Sequence, residues 1–358
     1  MAKELFKTDH SLKIDGFKLT RGRRERKRIR TLELADGSHV AIPVMIVRGA
    51  RPGPVFYLGA SIHGDEINGV EIVSRFANEI NIKTLSGTII AVPVQNPLAY
   101  QVQHRYFIGH MIKSPLDQSP ADPWATFPGD PNGNMAERIA ATLDSLMVRA
   151  DFMIDIHTPT TGGKYAPFAF LPPTRCGKIV EKSEAMAMAF GADFILATNE
   201  GVYVQDKAPH TVTAYRKKVG LGLELGEGGM IELDMIERGV RGLYNVFRHV
   251  GMLPGEMETF GRRMVITDMP VVRATRGGLH HRHVELNQDL KKGDLIASIV
   301  DVFGRVVEEI RSPRDGPVVR IATFPIVGEG ERVVQLGNKR NPPKKISGRG
   351  AHGIGGKP

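Results

Sequence analysis

From Pro54 to about Arg248 the chain alternates two patterns, and this alternation restricts the fold more than any other feature. Short apolar runs that read as buried strands, VFYLGASI, GTIIAVPV and FMIDIHT, are separated by stretches with amphipathic helical spacing, NGVEIVSRFANEI and AERIAATLDSLMVRA. Strands alternating with helices predict an α/β sheet, in which the loops at the strand C-termini carry the chemistry. Residues 1–50 instead alternate short apolar and polar positions, as in LELADGSHVAIPVMIV, where the Asp36–Gly37 pair sits at a hairpin turn. Beyond GMLPGE at 251–256 the sequence changes again, to short strands with frequent glycine. The expected organisation is an N-terminal β segment over 1–50 joining the main domain, a catalytic domain over 51–255, a small C-terminal all-β domain over 256–338, and a disordered basic tail over 339–358.

The net charge of +9 invites a nucleic-acid reading, and its distribution argues against one. The segment RGRRERKRIR at 21–30 carries a net +6, and so does the tail from Gly337 onward, which leaves about −3 for everything else. A slightly acidic body is not a polyanion-binding surface, so no nucleic-acid partner is expected, and the basic segments read as solvated charge or subunit contacts, with a homo-oligomer left open. No apolar run is long enough to span a membrane. The N-terminus lacks the pattern of a secretory or transit segment, and Cys176 is the single cysteine, so the expected setting is cytoplasmic.

The strongest chemical signal is GASIHGDEINGVEI at 59–72, in which an apolar strand runs into a glycine-containing turn bearing His63 and Glu66. Three residues apart at the start of a helix, these side chains project to the same side and can reach one ion. DFMIDIHT at 151–158 delivers His157 at another strand end, with Asp155 two residues earlier as its candidate support. Two imidazoles and a carboxylate suit a zinc ion, one per subunit, with a coordination position left open for water, and suit several other first-row ions. The reading requires the imidazoles of residues 63 and 157 to lie within about 6 Å of each other. A further strand, VGLGLELGEGG at 219–229, ends in Glu224, an acid that is costly to bury without a function or a partner.

These segments, together with NPLAYQVQHRY and FPGDPNGNMAERIA, resemble the succinylglutamate desuccinylase/aspartoacylase family, relatives of the zinc carboxypeptidases, over nearly the whole chain. The resemblance implies a mixed sheet with flanking helices, zinc held by His63, Glu66 and His157, and Glu224 as general base, with Glu227 in the same turn as the runner-up. It also implies that Arg105, in QHRY, steadies the oxygen of the tetrahedral intermediate. The sequence departs from many relatives where an Asp-Leu-Asn-Arg run would clamp a substrate carboxylate: Asp122, Pro123, Trp124 and Ala125 stand there, after an inserted stretch containing His110 and Lys113. Trp124 reads either as a wall of the site or as packing. The cluster His280, His281 and His283 reads as solvent-facing or at a domain boundary.

The expected activity is hydrolysis of the amide bond in a small N-acylated amine or amino-acid-like compound. A metallocarboxypeptidase acting on short peptides and a non-catalytic metal-binding relative are the alternatives. The first lacks the Asn-Arg pair that would hold a C-terminal carboxylate, and the second leaves the full set of ligands and base without a purpose.

Overall fold

A computed structural model gives the fold, with residues 12–14, 16–107 and 121–339 described. Strands β1 (Arg23–Glu33) and β2 (His39–Arg48) form an antiparallel hairpin that turns at Asp36–Gly37, where Gly37 takes a φ of 84°. There follow β3 (Arg51–Ala60), α1 (Asn68–Glu79), β4 (Ser86–Val92), the short α2 (Pro97–Gln101), α3 (Met135–Met147), β5 (Phe152–His157) and β6 (Gly163–Phe170). Next come α4 (Lys178–Phe190), β7 (Phe194–Leu196), α5 (Pro209–Tyr215), β8 (Val219–Glu227) and α6 (Leu233–His249). The centre of the sheet is the parallel set β4-β3-β5-β8, flanked by the antiparallel partners β2 and β6.

The parallel strands are covered on both faces, which is why they read as continuous apolar runs. Alternate residues sort to two cores. Phe56, Leu58, Ile154, Ile156, Leu221 and Leu223 pack against α1, α4 and α6 through Phe76, Phe190 and Phe247. Tyr57 and Met153 face the other way, toward α3 and α5 through Leu143 and Val212. Each fully buried phenylalanine removes enough apolar surface from water to contribute about 1.5–3 kcal/mol. Asn134 and Glu137 form a reciprocal capping box that starts α3 in the NMAE sequence.

The C-terminal region is all β: β9 (Met264–Asp268), β10 (Val271–Arg273), β11 (Gly278–Arg282), β12 (Asp289–Leu290), β13 (Leu295–Val300), β14 (Val306–Arg311), β15 (Gly316–Ala322), β16 (Ile326–Val327), β17 (Arg332–Leu336) and β18 (Asn338–Lys339). Four of these strands make a small sheet in the order β14-β13-β11-β16. The others continue the main sheet, to which β15 pairs through β6 and β9 through β7, giving 14 strands among the described residues. The change of composition near 255 therefore marks a change of architecture and not a break in hydrogen bonding.

The basic segment at 21–30 falls largely on β1, at one edge of the sheet, where charge discourages pairing with another strand. Arg24 directs its guanidinium to the carbonyls of Ala77 (2.9 Å) and Ile80 at the C-terminus of α1, where a cation complements the unpaired carbonyls. Residues 340–358 of the tail lie outside the described residues, as do His110 and Lys113. No helix among the described residues is long and apolar enough to cross a membrane.

Candidate active site

The site forms at the C-terminal ends of β3, β5 and β8, on the sheet face that α3 and α5 cover. Side chains two apart on a strand share a face, so Asp155 and His157 emerge together from β5, and the parallel register sets Glu224 of β8 opposite His157. Gly222, two residues before Glu224, leaves room for the Phe170 ring, since a Cβ there would lie 2.0 Å from the ring's tip.

His63 and Glu66 stand in the turn that follows β3. This corrects the sequence reading, which put them at the start of a helix: α1 begins at Asn68, and the three-residue juxtaposition comes from a turn closed by the Glu66 N–H on the His63 carbonyl (3.3 Å). The turn is braced from the segment after β4. Gln95 and Asn96 donate their backbone N–H groups to the carbonyls of Ala60 (2.9 Å) and Ser61 (3.1 Å), and the Asn96 amide donates to Ile62 (3.2 Å). That bracing holds Ser61 at a φ of 51°, a conformation a non-glycine residue adopts only when its surroundings enforce it. Gly64 is required for packing, because a Cβ there would lie 1.9 Å from the Ala99 carbonyl oxygen.

His63 Nδ1 lies 2.7 Å from Glu66 Oε1, and His157 Nδ1 lies 2.6 Å from Glu66 Oε2. The two imidazole centroids are 5.3 Å apart, inside the limit set from the sequence. One ligand atom from each of His63, Glu66 and His157 falls within 4.8 Å of the others, and all three residues are buried. The opposite ring nitrogens are held by carboxylates, His63 Nε2 by Asp122 Oδ1 (3.1 Å) and His157 Nε2 by Asp155 Oδ2 (2.9 Å). A carboxylate behind each imidazole fixes the tautomer that leaves Nδ1 free to ligate, so the donor set fits a divalent ion. Asp155 is oriented in turn by Gln95 (2.6 Å), whose amide oxygen accepts from Tyr57 Oη–H (2.8 Å).

The electrostatics agree with that fit. Burial alone would raise the Glu66 pKa, but the charges and hydrogen bonds of the two histidines outweigh it and hold the carboxyl to about 2. Burial would lower both imidazoles; Glu66 with Asp122 raises His63, and Asp155 with Glu66 raises His157 well above the usual range. Glu224 moves the other way: burial, reinforced by the charge of Glu66, lifts it to about 7. Its Oε1 accepts from Tyr203 Oη–H (3.1 Å), and its Oε2 is buried without a partner among the described residues. Arg105 follows α2 and donates from Nη2 to Asp122 Oδ2 (3.1 Å), with Nη1 3.4 Å from Glu66 Oε1. His63, Glu66, His157, Arg105 and Glu224 all line one cavity of about 560 Å³.

The model of the succinylglutamate desuccinylase/aspartoacylase catalytic domain matches residues 52–250, more than half of the chain. The chain belongs to this family. Members are hydrolases of carbon–nitrogen amide bonds other than peptide bonds, and so is this chain. It is 27% identical over 293 residues to the N-α-acetyl-L-2,4-diaminobutyric acid deacetylase of Halomonas elongata, a match covering 80% of this chain and 82% of that protein. The product-bound ectoine utilization protein EutE (DoeB) from Ruegeria pomeroyi shares 25% identity and superposes with a TM-score of 0.76 over 90% of this chain and 98% of its own. A succinylglutamate desuccinylase/aspartoacylase from Rhodobacter sphaeroides shares 26% identity with a TM-score of 0.77, covering 91% and 99% of the two chains.

Other sequence candidates fall outside the centre of this family site. Glu227 ends β8 with its backbone N–H on Glu232 and does not line the cavity, whereas Glu224 does. Trp124 both packs and lines: its ring lies edge-on to His157 at 6.2 Å, and its Nε1–H is buried without a partner among the described residues. His280 and His281 lie on β11 of the small sheet and do not line the cavity; the His280 ring lies against the carbonyl of Phe324 (3.4 Å), which does. Three contributors escaped the sequence reading: Asp122 as the partner of His63, Gln95 as the support of Asp155, and Tyr203 on Glu224. Asp122 had a signal, being the one acid kept where the Asp-Leu-Asn-Arg run was lost. Gln95 and Tyr203 had none, because their roles arise only from the packing of separate strands and loops.

Proposed function

We propose that the chain is a zinc-dependent deacylase that hydrolyses the amide bond of a small N-acylated amine or amino-acid-like compound, with His63, Glu66 and His157 as zinc ligands, Glu224 as general base and acid, and Arg105 as oxyanion partner. The observation that carries this reading is the convergence of three buried donors within 4.8 Å, facing a cavity into which Glu224 brings an unpartnered carboxylate oxygen. A divalent ion held there supplies Lewis acidity to the acyl carbonyl and makes a nearby water more acidic.

The chain's own groups do the rest. Glu224 takes the proton of the attacking water through Oε2 while Tyr203 holds Oε1, and it then hands that proton to the departing amine nitrogen. A carboxyl raised by burial toward neutral pH serves both steps. Arg105, fixed by Asp122 beside the ligand set, keeps a permanent cation near the carbonyl oxygen as its charge develops. The lining extends past 255 to Arg320, Phe324 and Arg332, so a β-part over 256–338 completes the cavity wall of the catalytic part over 51–255. The single cysteine supports a cytoplasmic setting.

The test is Glu224→Gln. It should retain metal at wild-type stoichiometry and lose about 10²–10⁴-fold in kcat against N-acyl substrates. Near-wild-type turnover would remove Glu224 from the mechanism.

A further inference from the structure

The cavity has a second polar end, remote in sequence from the metal ligands. Arg320, on β15, keeps 9% of its surface exposed, lines the cavity, and has a buried Nη1 with no hydrogen-bond partner among the described residues. No described residue forms an ion pair or hydrogen bond with its guanidinium. The other arginines of the cavity differ: Arg105 is engaged by Asp122, and Arg332 is exposed. Burying a cation is costly unless an anion joins it, so a guanidinium with no ion-pair partner among the described residues, in the lining of a cavity, is a candidate place for an anion.

The fold holds the group in place. Arg320 stands beside Tyr165 in the β15–β6 ladder, with its guanidinium carbon 6.0 Å from the Tyr165 ring centre. Its Nη2 lies over the bare backbone of Gly163, where a Cβ would come within 2.1 Å. Tyr165 in turn reaches Tyr203 (2.9 Å), which reaches Glu224 (3.1 Å), so two phenol groups separate the guanidinium from the base. That spacing suits an anion carried on the substrate some bonds away from the scissile amide.

We propose that Arg320 is the specificity residue that receives a carboxylate of the substrate, replacing from the C-terminal β-region the Asn-Arg clamp absent at Trp124 and Ala125. The assignment rests on the deacylase reading above and deepens it: the substrate class is an N-acyl amine bearing a carboxylate, on either the amine or the acyl side. A planar guanidinium suits that group because it donates two parallel hydrogen bonds to it.

The experiment compares zinc-loaded wild type, Arg320→Gln and Arg320→Lys on three substrates: an N-acetyl amino acid, an N-succinyl alkylamine and an N-acetyl alkylamine without a carboxylate. The Gln variant should lose about 10²-fold in kcat/KM, chiefly through KM, on whichever carboxylated substrate the wild type prefers, and at least about tenfold less on the neutral one. The arm that shows the loss identifies the side that carries the carboxylate, and Lys should restore part of it. Gly163→Ala, which displaces the guanidinium and keeps its charge, should reproduce the selective loss, with thermal unfolding checking that both variants fold. Equal losses on all three substrates, or a wild type that does not prefer a carboxylate, would overturn the assignment. If wild type hydrolyses none of the three, the deacylase reading fails by itself; calorimetric titration of succinate into wild type and Arg320→Gln then still decides the anion site, since equal binding to both refutes it and binding lost in the variant upholds it.

Discussion

Replacing Asp155 by asparagine changes one buried atom and tests the whole support of the metal ligands. Asp155 is 1% exposed and accepts two hydrogen bonds, from Gln95 Nε2 at 2.6 Å and from His157 Nε2 at 2.9 Å. Turning the Gln95 amide over is disfavoured, because it would take from the buried Tyr57 hydroxyl the oxygen to which it now donates at 2.8 Å. An asparagine must therefore keep its oxygen toward Gln95 and present its NH₂ to His157 Nε2. The neutral imidazole then has to accept at Nε2 and carry its proton on Nδ1, the atom that faces Glu66 at 2.6 Å and would bind the ion. The alternative orientation leaves two donors face to face in a buried site, at about 1–3 kcal/mol. Either way the loss falls in the range of about 10–100-fold in metal affinity found for groups that orient a ligating histidine, or about 1.4–2.7 kcal/mol. Competition with a chromophoric chelator at pH 7, run on wild type and Asp155→Asn, measures it directly, and circular dichroism checks the fold. A variant that binds zinc within twofold of wild type would refute the claim that the Asp155–His157 hydrogen bond sets the ligating tautomer.

Four further expectations follow from the same geometry. In the metal-free protein His63 and His157 are raised by neighbouring carboxylates despite burial, so zinc must displace protons from them: affinity should fall as pH drops, and calorimetry in buffers of different ionisation enthalpy should register release of about one to two protons per ion. By linkage, the stability those two groups contribute is fully present below their unfolded value near 6.5 and is lost as pH rises through the folded values, so the melting temperature of the metal-free protein should decline above pH 6.5 in a way that loaded protein does not. Tyr203→Phe removes a hydrogen bond that lowers the Glu224 pKa, so the acid limb of the kcat profile should move to higher pH; an unmoved limb would dissociate Tyr203 from the base. Gly64→Ala places a methyl 1.9 Å from the Ala99 backbone oxygen in α2, and because the turn after β3 is braced by Gln95 and Asn96, it should cost about 1–3 kcal/mol of stability and weaken zinc binding, both read from melting with and without metal.

What the sequence disclosed and what it hid divide along a physical line. His63, Glu66, His157 and Glu224 could be read because each lies at or just beyond the C-terminal end of an apolar run that needs no tertiary knowledge to recognise as a strand, and a parallel α/β sheet brings strand ends together by its own logic. Asp155 was readable for the same reason, since period-two alternation alone sets it on the face of His157. The helical placing of His63 and Glu66 went wrong by a few residues because a turn and a first helical turn offer the same three-residue juxtaposition, and only the bracing by Gln95 and Asn96 decides between them. Tyr203 and Gln95 act through partners on other elements, so no local pattern identifies them. Arg320 is the extreme case. Its chain neighbours read as an ordinary β-strand of a separate domain, and its importance rests on a hydrogen-bonded seam, β6 with β15, between segments more than 150 residues apart. The feature that makes it informative is the absence of a partner among the described residues, and a missing interaction leaves no trace in a sequence. That seam also gives the proposed chemistry and the proposed specificity separate supports: the proposed ligands and base sit at the ends of the parallel core, whereas the far wall of the cavity is supplied by strands of the C-terminal region.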